Sequence, residues 1–124
     1  MAATQKEILA RLEGAWISLN LAERHLYAFG PGEQIESYHY LKVAQVNIES
    51  ASKMCESADS ENPSTCFKHG PGIRSLARRI EEISDSIGVL IYSSMPWNTQ
   101  DLKNSLEGQE NALREFISDI GHGR

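Results

Sequence analysis

Apolar residues recur at alternating steps of four and three along most of this chain, and this spacing restricts the fold more than any other feature. An α-helix turns once in about 3.6 residues, so residues at these steps lie on one side of a single helix. The first such stripe consists of Ile8, Leu12, Ala15, Leu19, Ala22, Leu26 and Phe29. Three further stripes follow it: Leu41, Ala44, Ile48, Ala51 and Cys55; Ile73, Leu76, Ile80, Ile83, Ile87 and Leu90; and Leu102, Leu106, Leu113, Phe116 and Ile120.

The stripes predict four helices, at about 4–29, 33–56, 71–94 and 99–120. Short links make the first and second helices, and the third and fourth, antiparallel neighbours. We therefore expect an all-α fold, an antiparallel up-down-up-down four-helix bundle. Its 124 residues fit one domain, with an exposed polar loop at 57–70 and a flexible tail at 121–124.

The tripeptide Gly-Pro-Gly occurs twice, at 30–32 and at 70–72. Proline at the first position of a helix loses only an amide that would be unpaired there. A phosphate-binding loop, in contrast, uses consecutive backbone amides, one of which the proline removes. Both copies are therefore predicted to open helices, the second and the third.

The first two helices have more apolar surface than one core requires. We call these extra positions the second face; they are Ala10, Gly14, Ile17, Leu21, His39, Val43, Val46 and Met54. The outer positions of the other two helices are instead mostly charged: Arg74, Arg78, Glu82, Asp85, Lys103, Glu110 and Arg114. An apolar outer flank predicts a partner, and twofold homodimers are the commonest assembly of soluble proteins. In the alternative, these residues complete the core of an irregular bundle.

Positive charge concentrates at the predicted start of the third helix. This basic cluster consists of Lys68, His69, Arg74, Arg78 and Arg79. Cations at the positive end of a helix dipole are unfavourable unless negative charge offsets them. Glu81, Glu82 and Asp85 can supply that charge within the same helix, and this is the favoured interpretation. A bound anion or an acidic protein partner is the alternative.

Two pairs of carboxylates suggest an enzymatic alternative. The sequences "EQIE" at 33–36 and "EISD" at 82–85 resemble the magnesium-binding carboxylates of the all-α nucleotide pyrophosphohydrolases. The resemblance implies metal-dependent hydrolysis by Glu33, Glu36, Glu82 and Asp85. The stretch between the pairs is longer than in that family, and Glu82 and Asp85 are predicted to face away from the core. We therefore expect no metal site, cofactor or catalytic residues.

The net charge of −5 argues against a general nucleic-acid-binding protein, whose affinity depends on a positive surface. The longest apolar run, "IGVLIY" at 87–92, is too short to span a bilayer. Without an export signal, a cytoplasmic location is expected, and free thiols at Cys55 and Cys66 are favoured over a disulfide. The sequence thus predicts a self-associating binding, adaptor or regulatory module.

Overall fold

The computed structural model describes residues 5–27, 31–56, 64–91 and 99–123. These residues form four α-helices: α1 (Gln5–Tyr27), α2 (Pro31–Glu56), α3 (Ser64–Ile91) and α4 (Thr99–Gly121). Helix α1 packs against α2 and α4, and α3 packs against the same two helices. The predicted all-α four-helix bundle is confirmed. None of the helices, over its described residues, combines the length and the apolarity that a membrane crossing needs.

Neighbouring helices run in opposite directions, as an up-down-up-down bundle requires. A Cβ atom at Gly14 of α1 would lie 3.8 Å from Asn47 Nδ2 of α2. Further along α1, the backbone carbonyl oxygen of Ala22 accepts a hydrogen bond of 2.8 Å from Ser37 Oγ. Residue numbers therefore rise along α1 while they fall along α2, and the two helices are antiparallel.

The apolar stripes form the core of the bundle. The stripe residues of α1 and α2 within the described part of the chain, and Ile73, Leu76, Ile80, Ile83 and Ile87 of α3, are buried. In α4, Leu106, Leu113 and Ile120 are buried, while Leu102 and Phe116 are half-buried and pack against this core. The predicted core is confirmed for these residues. Phe29 and the side chain of Leu90 lie outside the described residues.

The third helix begins earlier than the sequence pattern predicts. It starts at Ser64, so residues 64–70 are helical and do not belong to an exposed loop, and Pro71 lies inside the helix. The prediction that the second Gly-Pro-Gly opens a helix is therefore wrong. The prediction for the first copy is confirmed, because Pro31 is the first residue of α2. Residues 57–63 of the predicted loop lie outside the described residues.

Close packing against two neighbouring helices explains the second Gly-Pro-Gly. A Cβ atom at Gly70 would lie 2.5 Å from Cγ of Glu56 in α2, and one at Gly72 would lie 2.9 Å from Cζ of Phe116 in α4. The carbonyl oxygen of Gly70 also accepts a hydrogen bond of 2.9 Å from the buried Ser52 Oγ. These tertiary contacts stabilise the helical conformation of α3 around Pro71. The intrinsic propensity of proline would instead place it in the first turn of a helix.

Candidate functional site

The second face is exposed at its centre. The exposed fractions of the side chains of Ile17, Val43 and Val46 are 55%, 50% and 63%. Of the remaining members, Ala10 and His39 are exposed, while Gly14, Leu21 and Met54 are half-buried. Met54 packs against the core. The central residues of the second face, Ile17, Val43 and Val46, are therefore not needed to complete the core of a single chain.

The exposed residues of α1 and α2 lie side by side. A Cβ atom at Gly14 would lie 3.8 Å from Asn47 Nδ2, and Arg11 Nη1 donates a hydrogen bond of 3.3 Å to Asn47 Oδ1. Ile17 lies one turn beyond Gly14 and Val43 one turn before Asn47, so in antiparallel helices they reach the same level. A surface depression of about 350 Å³ at this level is lined by His39, Lys42, Val43, Val46 and Asn47. Exposed apolar residues of α1 and α2 thus lie next to each other, beside the polar Arg11–Asn47 pair.

A second apolar depression, which sequence reasoning missed, lies between α2 and α3. Its volume is about 630 Å³, and it is lined by Ile35, Tyr38, His39, Asp85, Gly88, Val89 and Ile91. Val89 and Ile35 expose 71% and 41% of their surface. The run "IGVLIY" at 87–92 is the signal for this site, because one side of a helix cannot bury six successive residues.

Acidic residues of α3 bond to α2. Lys42 Nζ lies 3.5 Å from Asp85 Oδ1, and 5.4 Å from the centre of the Tyr38 ring. Gln45 Nε2 donates a hydrogen bond of 3.3 Å to Glu81 Oε2. Two of the carboxylates expected to offset the basic cluster within α3 therefore form contacts between helices instead.

The residues of the basic cluster have different surroundings in the structure. Arg74 forms an ion pair with Glu56 of α2. His69 and Arg79 line a depression of about 290 Å³ between α3 and α4, together with the acidic Glu115 and Asp119. Lys68 and Arg78 are exposed.

The dipole of α3 has little effect at the three arginines of this cluster. Because α3 begins at Ser64, Arg74, Arg78 and Arg79 lie beyond its first turn. The helix dipole acts mainly within that first turn, so it contributes little field at these arginines. The depression at Arg79 contains carboxylates as well as cations, so its charge does not select anions.

Three of the four carboxylates of the enzymatic alternative have described side chains, and all three lie on the surface. Glu36, Glu82 and Asp85 are exposed, and Asp85 contacts Lys42. Across the four described segments, no group of three or more His, Cys, Asp or Glu residues is placed to hold a metal ion. The side chain of Glu33 lies outside the described residues.

Glu110 differs from its predicted place on the outer side of α4. It is half-buried beside Glu23 of α1, and its Oε1 atom is buried with no hydrogen-bond donor among the described residues. Burial raises the pKa of Glu110 from 4.5 to about 7, helped by the hydrogen bond and charge of Glu23 and by the charge of Glu107, and opposed by Arg114. Two ionised carboxylates repel each other, so the proximity of Glu23 favours the protonated form of Glu110.

We expect the free energy of unfolding to fall as the pH rises from about 4.5 to about 7. The folded protein holds the Glu110 proton across this range, while the unfolded chain releases it. Solvent screening at this half-buried site reduces the effect to about 1 kcal/mol. Urea unfolding of the wild type should give a lower free energy of unfolding at pH 8 than at pH 5. Glu110→Gln should flatten this part of the profile, because its amide can donate to Glu23 at either pH.

The matched control is Glu82→Gln, at an exposed glutamate of α3. It should keep the pH dependence of the wild type. Equal slopes for the wild type and Glu110→Gln would contradict a carboxyl–carboxylate hydrogen bond between α1 and α4.

Comparisons with known proteins assign no function to these surfaces. No protein-family model matches the chain, and no curated protein or solved structure matches it. A function for this chain is therefore argued from its own residues.

Proposed function

We propose that the protein is a self-associating binding module that forms a homodimer through the second face. The observation that carries this proposal is the exposure of Ile17, Val43 and Val46, each at half or more of its surface. Each Å² of apolar surface that association removes from water contributes about 25 cal/mol of favourable free energy. A contiguous apolar surface on a small domain typically marks an interaction site.

The residues of α2 favour a second copy of the chain as the partner. In a twofold dimer with antiparallel α2 helices, the axis would pass between Val43 and Val46, so each valine would meet the other valine of its partner. Glu36 precedes Val43 by the same seven residues by which Lys53 follows Val46. The acidic end of one α2 would therefore meet the basic end of the other. Opposite charges at the rim of an interface favour this register.

The shape of α1 supports the same arrangement. Gly14 is half-buried between Ile17 and Ala10 on this side of the bundle, and a Cβ atom there would lie 3.8 Å from Asn47 Nδ2. Without a side chain, Gly14 lets a helix of the partner approach α1 closely. A side chain of the partner can then lie against α1 and bury the adjacent valines of α2.

Light scattering tests the dimer at micromolar concentration. We expect a dimer for the wild type and a monomer for the double variant Ile17→Glu/Val46→Glu, because two carboxylates would be buried at the centre of the interface. Val89→Glu is the comparison variant: Val89 is exposed on α3 and is not a member of the second face, although His39 of that face borders the same depression. It should remain dimeric. Circular dichroism checks that every variant stays helical.

A wild type that is monomeric, with a mass unchanged by the double substitution, would refute the dimer. Equal dissociation of the Val89→Glu variant would place the interface elsewhere.

A further inference from the structure

The two cysteines lie at the two helix ends that the segment 57–63 connects. Cys55 is in the last turn of α2 and Cys66 in the first turn of α3. Both are free thiols, and both have 0% exposure within the core.

Contacts between α2 and α3 place the two thiols at the same level. Ser52 Oγ donates a hydrogen bond of 2.9 Å to the carbonyl oxygen of Gly70. Cys55 lies about one turn after Ser52 on α2, and Cys66 lies about one turn before Gly70 on α3. Because the two helices are antiparallel, both steps lead in the same direction along the bundle, so the two cysteines reach the same level. Each thiol also affects the pKa of the other, as neighbouring side chains do. The two thiols are therefore neighbours across the α2–α3 junction.

We propose that Cys55 and Cys66 are a redox-sensitive pair that a low-molecular-weight disulfide, such as oxidised glutathione, converts into an intramolecular disulfide. The bond would link the end of α2 to the start of α3 and close the segment between them into a covalent loop. This inference is independent of the proposed dimer, because neither cysteine belongs to the second face.

The reaction is two successive thiol–disulfide exchanges. The thiolate of one cysteine attacks a sulfur of the small disulfide, forms a mixed disulfide and releases one small thiolate, which takes up a proton. The other cysteine then loses its proton and attacks the protein sulfur of the mixed disulfide. A second small thiol leaves. The two electrons lost by the cysteines reduce one small disulfide to two thiols.

Burial sets the conditions for this exchange. Burial first, then the charges of Cys66 and Glu56 and the hydrogen bond to Cys66, raise the pKa of Cys55 to about 12; burial also raises the pKa of Cys66. The thiolate is the reacting form, so the folded pair reacts slowly. Terminal helix turns open most readily, and opening these two turns exposes both thiols without global unfolding. Urea below the unfolding transition should therefore speed the oxidation several-fold.

The test is equilibration of the full chain with reduced and oxidised glutathione at several ratios, in mild urea. Alkylation of the remaining thiols and mass spectrometry of proteolytic peptides should show both thiols lost together and one peptide pair joined through Cys55 and Cys66. The linked species should run as a single chain on a denaturing gel without reductant. Its Tm should be several degrees above that of the reduced chain, because the cross-link restricts the unfolded state.

Cys55→Ala and Cys66→Ala are the matched variants, and each should lose the Tm difference between oxidising and reducing buffers. Peptide mapping of the wild type makes the test independent of how well these variants fold. Retention of both thiols under the most oxidising buffer would overturn the proposal. So would a product that contains only mixed disulfides with glutathione, or only links between chains.

Discussion

Pro71→Ala is expected to raise the free energy of unfolding by about 2 kcal/mol, the net of two opposing effects. Proline in the interior of a helix costs about 3 kcal/mol, through the lost amide hydrogen bond and the clash of its ring with the preceding turn. Part of this gain is offset, because alanine makes the unfolded chain more flexible. Urea unfolding followed by circular dichroism measures the difference.

Pro31→Ala is the internal control, because Pro31 is the first residue of α2. Proline at that position loses no intrahelical bond, so its replacement should lower stability by about 0.5 kcal/mol. The two prolines, each between two glycines, should therefore respond with opposite sign. A loss of stability for both variants would indicate that α3 begins at Pro71 and would contradict the continuous helix from Ser64.

Gly70→Val is expected to lower the free energy of unfolding by about 2 kcal/mol, a typical value for overpacking in a well-packed site. Its Cβ atom would approach Cγ of Glu56 to 2.5 Å. The side chain of Glu56, which pairs with Arg74, would have to move away. Thermal and urea unfolding measure the loss.

Gly108→Val provides the matched substitution on an open surface. A Cβ atom at Gly108 would have no described atom within 4 Å outside its own helical turn. Valine is a slightly better helix former than glycine, so this variant should stay within about 0.5 kcal/mol of the wild type. Equal effects at both glycines would show that backbone flexibility, and not the approach of α2, governs Gly70.

Some features of the candidate surfaces were readable from the sequence. The second face followed from apolar residues such as Ile17 and Val46, which the spacing placed opposite the core stripe. The depression lined by Ile35 and Val89 was missed, because its residues come from two helices and α3 shows no second apolar stripe. The buried position of Glu110 was also missed. Periodicity places Glu110 outside the stripe of α4, but only the packing of α1 beside it puts its carboxyl group near Glu23.

Local periodicity determined the number of helices, their order and the side of each that faces the core, because the position of an apolar stripe is a property of each helix's own sequence. The core residues from Ile8 to Ile120 could therefore be identified before any tertiary contact was known. Helix ends and pairings depend on what a neighbouring helix supplies. Only the tertiary structure decided that Pro71 lies within α3 and that the glycines on either side of it pack closely against α2 and α4. It also decided that Cys55 lies beside Cys66. These contacts join residues on different helices, so no spacing along the chain encodes them.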